Sequence, residues 1–168
     1  MQPDKVTNVK IAGLGGMGIL TAAGILAETA FLAGYDVKRS ELHGMSQRGG
    51  SVSSDIRFGK KVFSPMIPDG ETDYLLLMAE DQADVFRPAL RMGGEIISSM
   101  IFNSAALPHK KSLNIAMLGA LSVKFDFHHE TWLKVLKKTF GQELIAINIS
   151  GFDLGRKIMS PAIAKIHP

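Results

Sequence analysis

The chain has 168 residues, with 19 Lys+Arg against 16 Asp+Glu, a formal net charge of +3, 46% apolar residues and no cysteine. That balance is globular; it excludes a disordered tail, a disulfide scaffold, a thiolate zinc finger and a chain that binds its own iron–sulfur cluster through cysteine. The length suits one domain, expected over residues 1–168.

Asn8 to Ala12 is a short apolar run that enters Gly13-Leu14-Gly15-Gly16-Met17-Gly18, which predicts a buried first strand. Ile19, Leu20, Ala23, Leu26, Ala27, Ala30 and Phe31 recur at helical spacing, and Gly34 stands where a C-terminal cap belongs. Asp36 to Leu42 reads as a second strand, which makes a β-α-β unit with parallel strands. Ser51 to Phe58 alternates, and Gly59-Lys60 is a turn into Lys61-Val62-Phe63, so an antiparallel hairpin is expected at the sheet edge. Pro65 and Pro68 mark a loop, and Tyr74 to Ala79 reads as a central parallel strand. A helix is expected from about Asp81 to Met92, ended by Gly93-Gly94, with a strand from Glu95 to Ser98. Met100 to Ser112 contains Pro108 and shows little period, while helices are predicted near 113–124, 129–140 and 142–158. The fold class is therefore α/β.

Gly13, Gly15 and Gly18 satisfy G-x-G-x-x-G between a strand and a helix, the context in which backbone N–H groups and a helix N-terminus favour an anion. A dinucleotide site needs an acid about 20 residues on, and Asp36 and Glu41 are both candidates. The same glycines equally serve close strand–helix packing or contact with a protein partner.

The second constellation is Glu41-Leu42-His43-Gly44-Met45-Ser46-Gln47-Arg48-Gly49-Gly50, placed at the end of the second strand, where α/β folds seat ligands. Arg48 is equipped for a bidentate carboxylate or phosphate contact, and a histidine such as His43 is the residue type able to accept or donate near neutral pH. No nucleophile–base–orienter arrangement has sequence support, and a loop held by its own hydrogen bonds, with Arg48 in a structural ion pair, is the equal alternative.

His128-His129-Glu130 is no metal cluster, because adjacent side chains on a helix diverge; Glu130 suits the first turn of a helix. The pI of 9.2 rests on a mild excess of cations, and Lys134, Lys137, Lys138, Arg156 and Lys157 read as solvated helix faces rather than a nucleic-acid stripe. No segment is long and apolar enough to cross a bilayer, and the N-terminus lacks the pattern of a signal peptide. A cytoplasmic protein with neither nucleic-acid nor membrane partners is expected.

Taken together, Gly13 to Gly18, Glu41 to Gly50 and Asp55-Ile56-Arg57 resemble the gamma-type subunit or domain of the 2-oxoacid:ferredoxin oxidoreductases. Asn114 to Ala120, Asn148, Phe152 and Gly155 extend the resemblance over nearly the whole chain. Within that family, Ser64 to Asp73 is most similar to the loop of small subunits of the indolepyruvate type; pyruvate- and 2-oxoglutarate-type relatives are the near alternatives. The resemblance implies a three-layer, Rossmann-like, mostly parallel sheet with an antiparallel hairpin at its edge. It implies oxidative decarboxylation of a 2-oxoacid to an acyl-CoA, with electrons passing to ferredoxin. Thiamine diphosphate, Mg and iron–sulfur clusters are then expected on a large partner subunit, with CoA as co-substrate. This chain is expected to hold no catalytic residue. Gly13, Gly15, Gly16, Met17 and Gly18 would meet a cofactor or the partner. Glu41, His43, Gly44, Ser46, Gln47, Arg48, Gly49 and Gly50 would shape a substrate or CoA crevice or the subunit interface. The segment Met100 to Leu113 is shorter than relatives carry.

Overall fold

The computed structural model describes residues 5–43 and 50–160. Five strands form one mixed sheet in the order β2-β3-β1-β4-β5. They are β1 (Thr7–Leu14), β2 (Asp36–His43), β3 (Ser51–Gly59), β4 (Thr72–Leu77) and β5 (Leu90–Ser98). The helices are α1 (Ile19–Leu32), the short α2 (Ala83–Phe86), α3 (Leu113–Ser122), α4 (His129–Thr139) and α5 (Gln142–Met159).

Alternation along the strands decides the faces. Val9 and Ile11 of β1, Ile56 and Phe58 of β3, Leu76 of β4 and Ile97 of β5 form one core with α1, α3, α4 and α5. Every residue from Asn114 to Ser122 is buried, as expected of a helix wedged between the sheet and α5. Glycine permits that wedge. A Cβ on Gly119 would lie 2.0 Å from the Phe152 carbonyl oxygen, and one on Gly155 1.8 Å from that of Ala116. The opposite face is thinner. Ala12, Leu75 and Leu77 pack against Ala83 of α2.

The remainder of that face is polar and tied to the segment between β3 and β4. Lys10 pairs with buried Asp55, whose other oxygen accepts the Ile67 N–H at 3.0 Å. Arg57 donates to the Ser64 and Met66 carbonyls, each at 3.0 Å. These bonds strap residues 64–67 onto the sheet.

Three expectations change. The antiparallel hairpin at the sheet edge is present, but β2 and β3 form it, and residues 61–63 are not a strand. The Val62 N–H is donated to the Asp36 carboxylate at 2.9 Å instead of to a ladder. β3 also pairs antiparallel with β1, so β1 and β2 run parallel without touching. The sheet is accordingly mixed: β1–β4 and β4–β5 are parallel, the other two pairings antiparallel.

The helix expected over 81–92 shrinks to α2 flanked by 3-10 turns at Glu80–Gln82 and Arg87–Ala89. Pro88 has no N–H to continue it. Gly93 and Gly94 lie inside β5 instead of ending a helix. They form an irregularity in its pairing with β4, where Gly93 has φ +73° and a Cβ on Gly94 would lie 2.8 Å from the Thr72 carbonyl oxygen. Between β5 and α3 the chain makes three short 3-10 turns.

Candidate functional site

The glycine loop sits at the C-terminal end of β1. Gly16 and Gly18 adopt φ +89° and +76°, which only glycine takes up readily. Met17 donates its N–H to the Leu14 carbonyl at 3.2 Å, closing a tight turn. Gly18 is the N-cap of α1 and offers no side chain to its first turn. The Ala22 N–H returns to the Gly18 carbonyl, so the N–H groups of residues 19–21 precede the helical ladder. A cavity of about 460 Å³ opens there, lined by Leu14, Gly15, Gly16, Gly18, Ile19, Leu20, Thr21 and Val52. Among the described residues, no titratable side chain lines it. What it offers is the partial positive charge of a helix start.

Only the ends of the second constellation are described. β2 carries Glu41 and His43 to the same end of the sheet, and Gly50 re-enters beside the glycine loop. The Gly15 N–H donates to the Gly50 carbonyl at 3.0 Å. The two motifs therefore meet. Glu41 pairs with Arg39 at 3.1 Å. The side chain of His43, and Gly44, Ser46, Gln47, Arg48 and Gly49, lie outside the described residues.

The acids needed for a dinucleotide are misplaced. Asp36 pairs in register with Gly59, at the far end of the sheet from the glycine loop. Its carboxyl is held below the usual range, first by the Val62 N–H and then by Lys38 and Lys61, so it is occupied. Glu41 is separated from β1 by the whole of β3, roughly 9–10 Å at ordinary strand spacing. The inserted strand removes the arrangement in which a neighbouring acid grips a ribose.

Several of the remaining charged residues meet partners on the helices. His129 meets Asp153 at 2.9 Å, Lys138 meets Glu28 at 2.6 Å, and Arg156 donates to the Ser122 hydroxyl at 2.8 Å. Among the described residues no group of three or more His, Cys, Asp or Glu is placed to hold a metal ion. The donor set among the described residues does not suit a magnesium-bound diphosphate, and a sequence without cysteine has no thiolate for an iron–sulfur cluster.

The chain reading of the site missed how it is held. Asn114 donates its Nδ2 to the Gly18 carbonyl at 3.2 Å across a sequence distance of 96 residues. Ser51 hydrogen-bonds Gln82 from the turn after β4. No local pattern announces either contact.

The fold is that of a gamma subunit. The chain superposes on the gamma subunit of a keto/oxoacid ferredoxin oxidoreductase from Geobacter sulfurreducens with a TM-score of 0.77 at 21% identity, over 92% of this chain and 97% of that one. It also matches a 2-oxoglutarate:ferredoxin oxidoreductase from Magnetococcus marinus, TM-score 0.73 at 22% identity, over 94% of this chain and 31% of the other. Sequence goes further. Residues 8–108 match the model of the pyruvate ferredoxin/flavodoxin oxidoreductase family. The indolepyruvate oxidoreductase subunit IorB of Pyrococcus horikoshii is 43% identical over 193 residues, covering 91% of this chain and 96% of that protein. That of Thermococcus kodakarensis is 30% identical with the same coverage. The chain belongs to the pyruvate ferredoxin/flavodoxin oxidoreductase family, and is of its small-subunit type. The aligned span of 193 exceeds the 168 residues here, so these relatives hold residues without a counterpart in this chain.

Proposed function

We propose that this chain, as one gamma-type domain over residues 1–168, is the non-catalytic small subunit of an indolepyruvate or aryl-pyruvate ferredoxin oxidoreductase of the cytoplasm. A large partner subunit binds thiamine diphosphate, Mg and the iron–sulfur clusters and supplies the decarboxylation chemistry. CoA takes the acyl group and ferredoxin the electrons. This chain contributes a surface at one end of its sheet, made by Gly13 to Gly18 and Glu41 to Gly50, against the partner or the substrate and CoA crevice. The observation that carries this reading is the Gly15–Gly50 hydrogen bond. It joins the two motifs of the resemblance beside the glycine-loop cavity. Among the described residues, no helix is long and apolar enough to cross a membrane.

The test is co-expression with a thiamine- and cluster-binding large subunit from the same organism. The expected result is co-elution, and ferredoxin reduction by indolepyruvate and CoA that needs both chains. A small chain that elutes alone and adds nothing to turnover overturns the proposal.

A further inference from the structure

The strap between β3 and β4 holds two large apolar side chains out of the core. Phe63 is 89% exposed and Met66 54%, whereas Val62 and Ile67 on either side are buried. Ser64 and Pro65 between them are exposed as well.

The backbone of this tip is fixed from below. The Val62 N–H donates to the Asp36 carboxylate, Arg57 donates to the Ser64 and Met66 carbonyls, and the Ile67 N–H donates to Asp55. Arg57 is itself oriented by the Asn8 carboxamide oxygen at 2.9 Å, and Asp55 by Lys10. Pro65 adds a fixed φ. Single exposed apolar residues are ordinary on a protein surface. An aromatic and a methionine within four residues, on a backbone already held, combine the composition of an interface core with little ordering cost on binding.

Charge narrows the occupant. Lys61 and Lys38 share one carboxylate, Asp36, at 3.7 and 3.8 Å, and their side chains are 67% and 43% exposed. The surface beside Phe63 is therefore cationic. The acids of this segment, Asp69 and Glu71, come after buried Ile67, toward β4. A second copy of this chain would set the same lysines against each other across a twofold axis. An apolar recess edged by carboxylates complements the patch instead.

We propose that Phe63 and Met66 anchor a second protein interface, on the sheet face opposite α1, α3, α4 and α5, and that its occupant is such a recess on the large subunit. Asp36 pairs with Gly59 at the end of the sheet away from the glycine loop, so this surface is separate from the one formed by Gly13 to Gly18 and Glu41 to Gly50. The identity of the large subunit rests on the function proposed above; the anchor and its chemistry do not.

The test uses the full chain with the large subunit. Phe63→p-benzoylphenylalanine, irradiated in the complex, is expected to crosslink to the large subunit. Phe63→Ser and Met66→Ser should each weaken association about tenfold or more and leave the urea midpoint of the free chain unmoved. Met92→Ser, at a position 97% exposed on β5, should leave the affinity unchanged. Lys61→Ala should reduce the salt dependence of association. If the unsubstituted chain binds the large subunit, five results overturn this inference and spare the functional reading: full affinity in both serine variants, an equal loss in Met92→Ser, no crosslink or one to a second copy, a lowered midpoint in Phe63→Ser, or unchanged salt dependence in Lys61→Ala. An unsubstituted chain that does not bind the large subunit overturns both.

Discussion

Asn114 grips the carbonyl of Gly18, and a Cβ on Gly18 would lie 2.3 Å from the Asn114 Nδ2. The start of α1 and the start of α3 are thereby locked together at the mouth of the glycine-loop cavity. Gly18→Ala should cost about 1–2 kcal/mol from the left-handed backbone alone, and more from displacing Asn114. Gly16→Ala has the same backbone cost but meets nothing within 4 Å. Urea denaturation should therefore rank Gly18→Ala as the more destabilising, and Asn114→Ala should narrow the gap when added to it.

The α3–α5 contact has no room to yield. Gly155→Ala drives a methyl into the Ala116 carbonyl of the facing helix. A loss of about 3 kcal/mol is expected, seen as a lower urea midpoint. Gly141→Ala, in open space, meets no atom and should move the midpoint far less, its cost limited to replacing a favoured N-cap residue of α5.

Asp55 ties the strap to the sheet through Lys10 and the Ile67 N–H. Asp55→Ala strands a buried lysine, and removing one partner of a buried pair costs about 3–5 kcal/mol. Hydrogen exchange should show the Ile67 amide losing protection in the same variant. Retained protection would place the strap's hold elsewhere.

Asp73 gives the pH dependence. Burial pushes its carboxyl up, and the Asn8 N–H, with Arg91 and Lys5, more than reverses this, leaving it below the usual range. A lowered folded value means the ionised form is favoured by folding. Its contribution is fully present above the unfolded carboxylate value of about 4 and is lost as pH falls through the lowered one. Asp73→Asn should reduce stability at neutral pH and flatten the acid limb of a stability–pH curve.

Arg48→Ala tests the second constellation. The expected outcome is an unchanged thermal midpoint with weaker co-elution with the large subunit or slower turnover. A protein that unfolds instead makes Arg48 a structural residue.

Much of this protein is legible in its residues. The 3.6-residue period marks α1, α4 and α5, the apolar run after Thr72 marks β4, and Gly13 to Gly18 marks a strand-to-helix turn, because these patterns act within a few neighbours. Zero cysteine already excludes thiolate-held iron. Pairing across the sheet leaves no such trace. Alternation in β3 shows which side chains face the core, but not that this strand lies between β1 and β2, taking the dinucleotide acid out of reach. Nor does a window around Asn114 show that its carboxamide closes on Gly18. Those choices are made by backbone hydrogen bonds and packing between residues far apart in the chain. Local propensity placed the glycine loop; tertiary structure alone decided what stands around it.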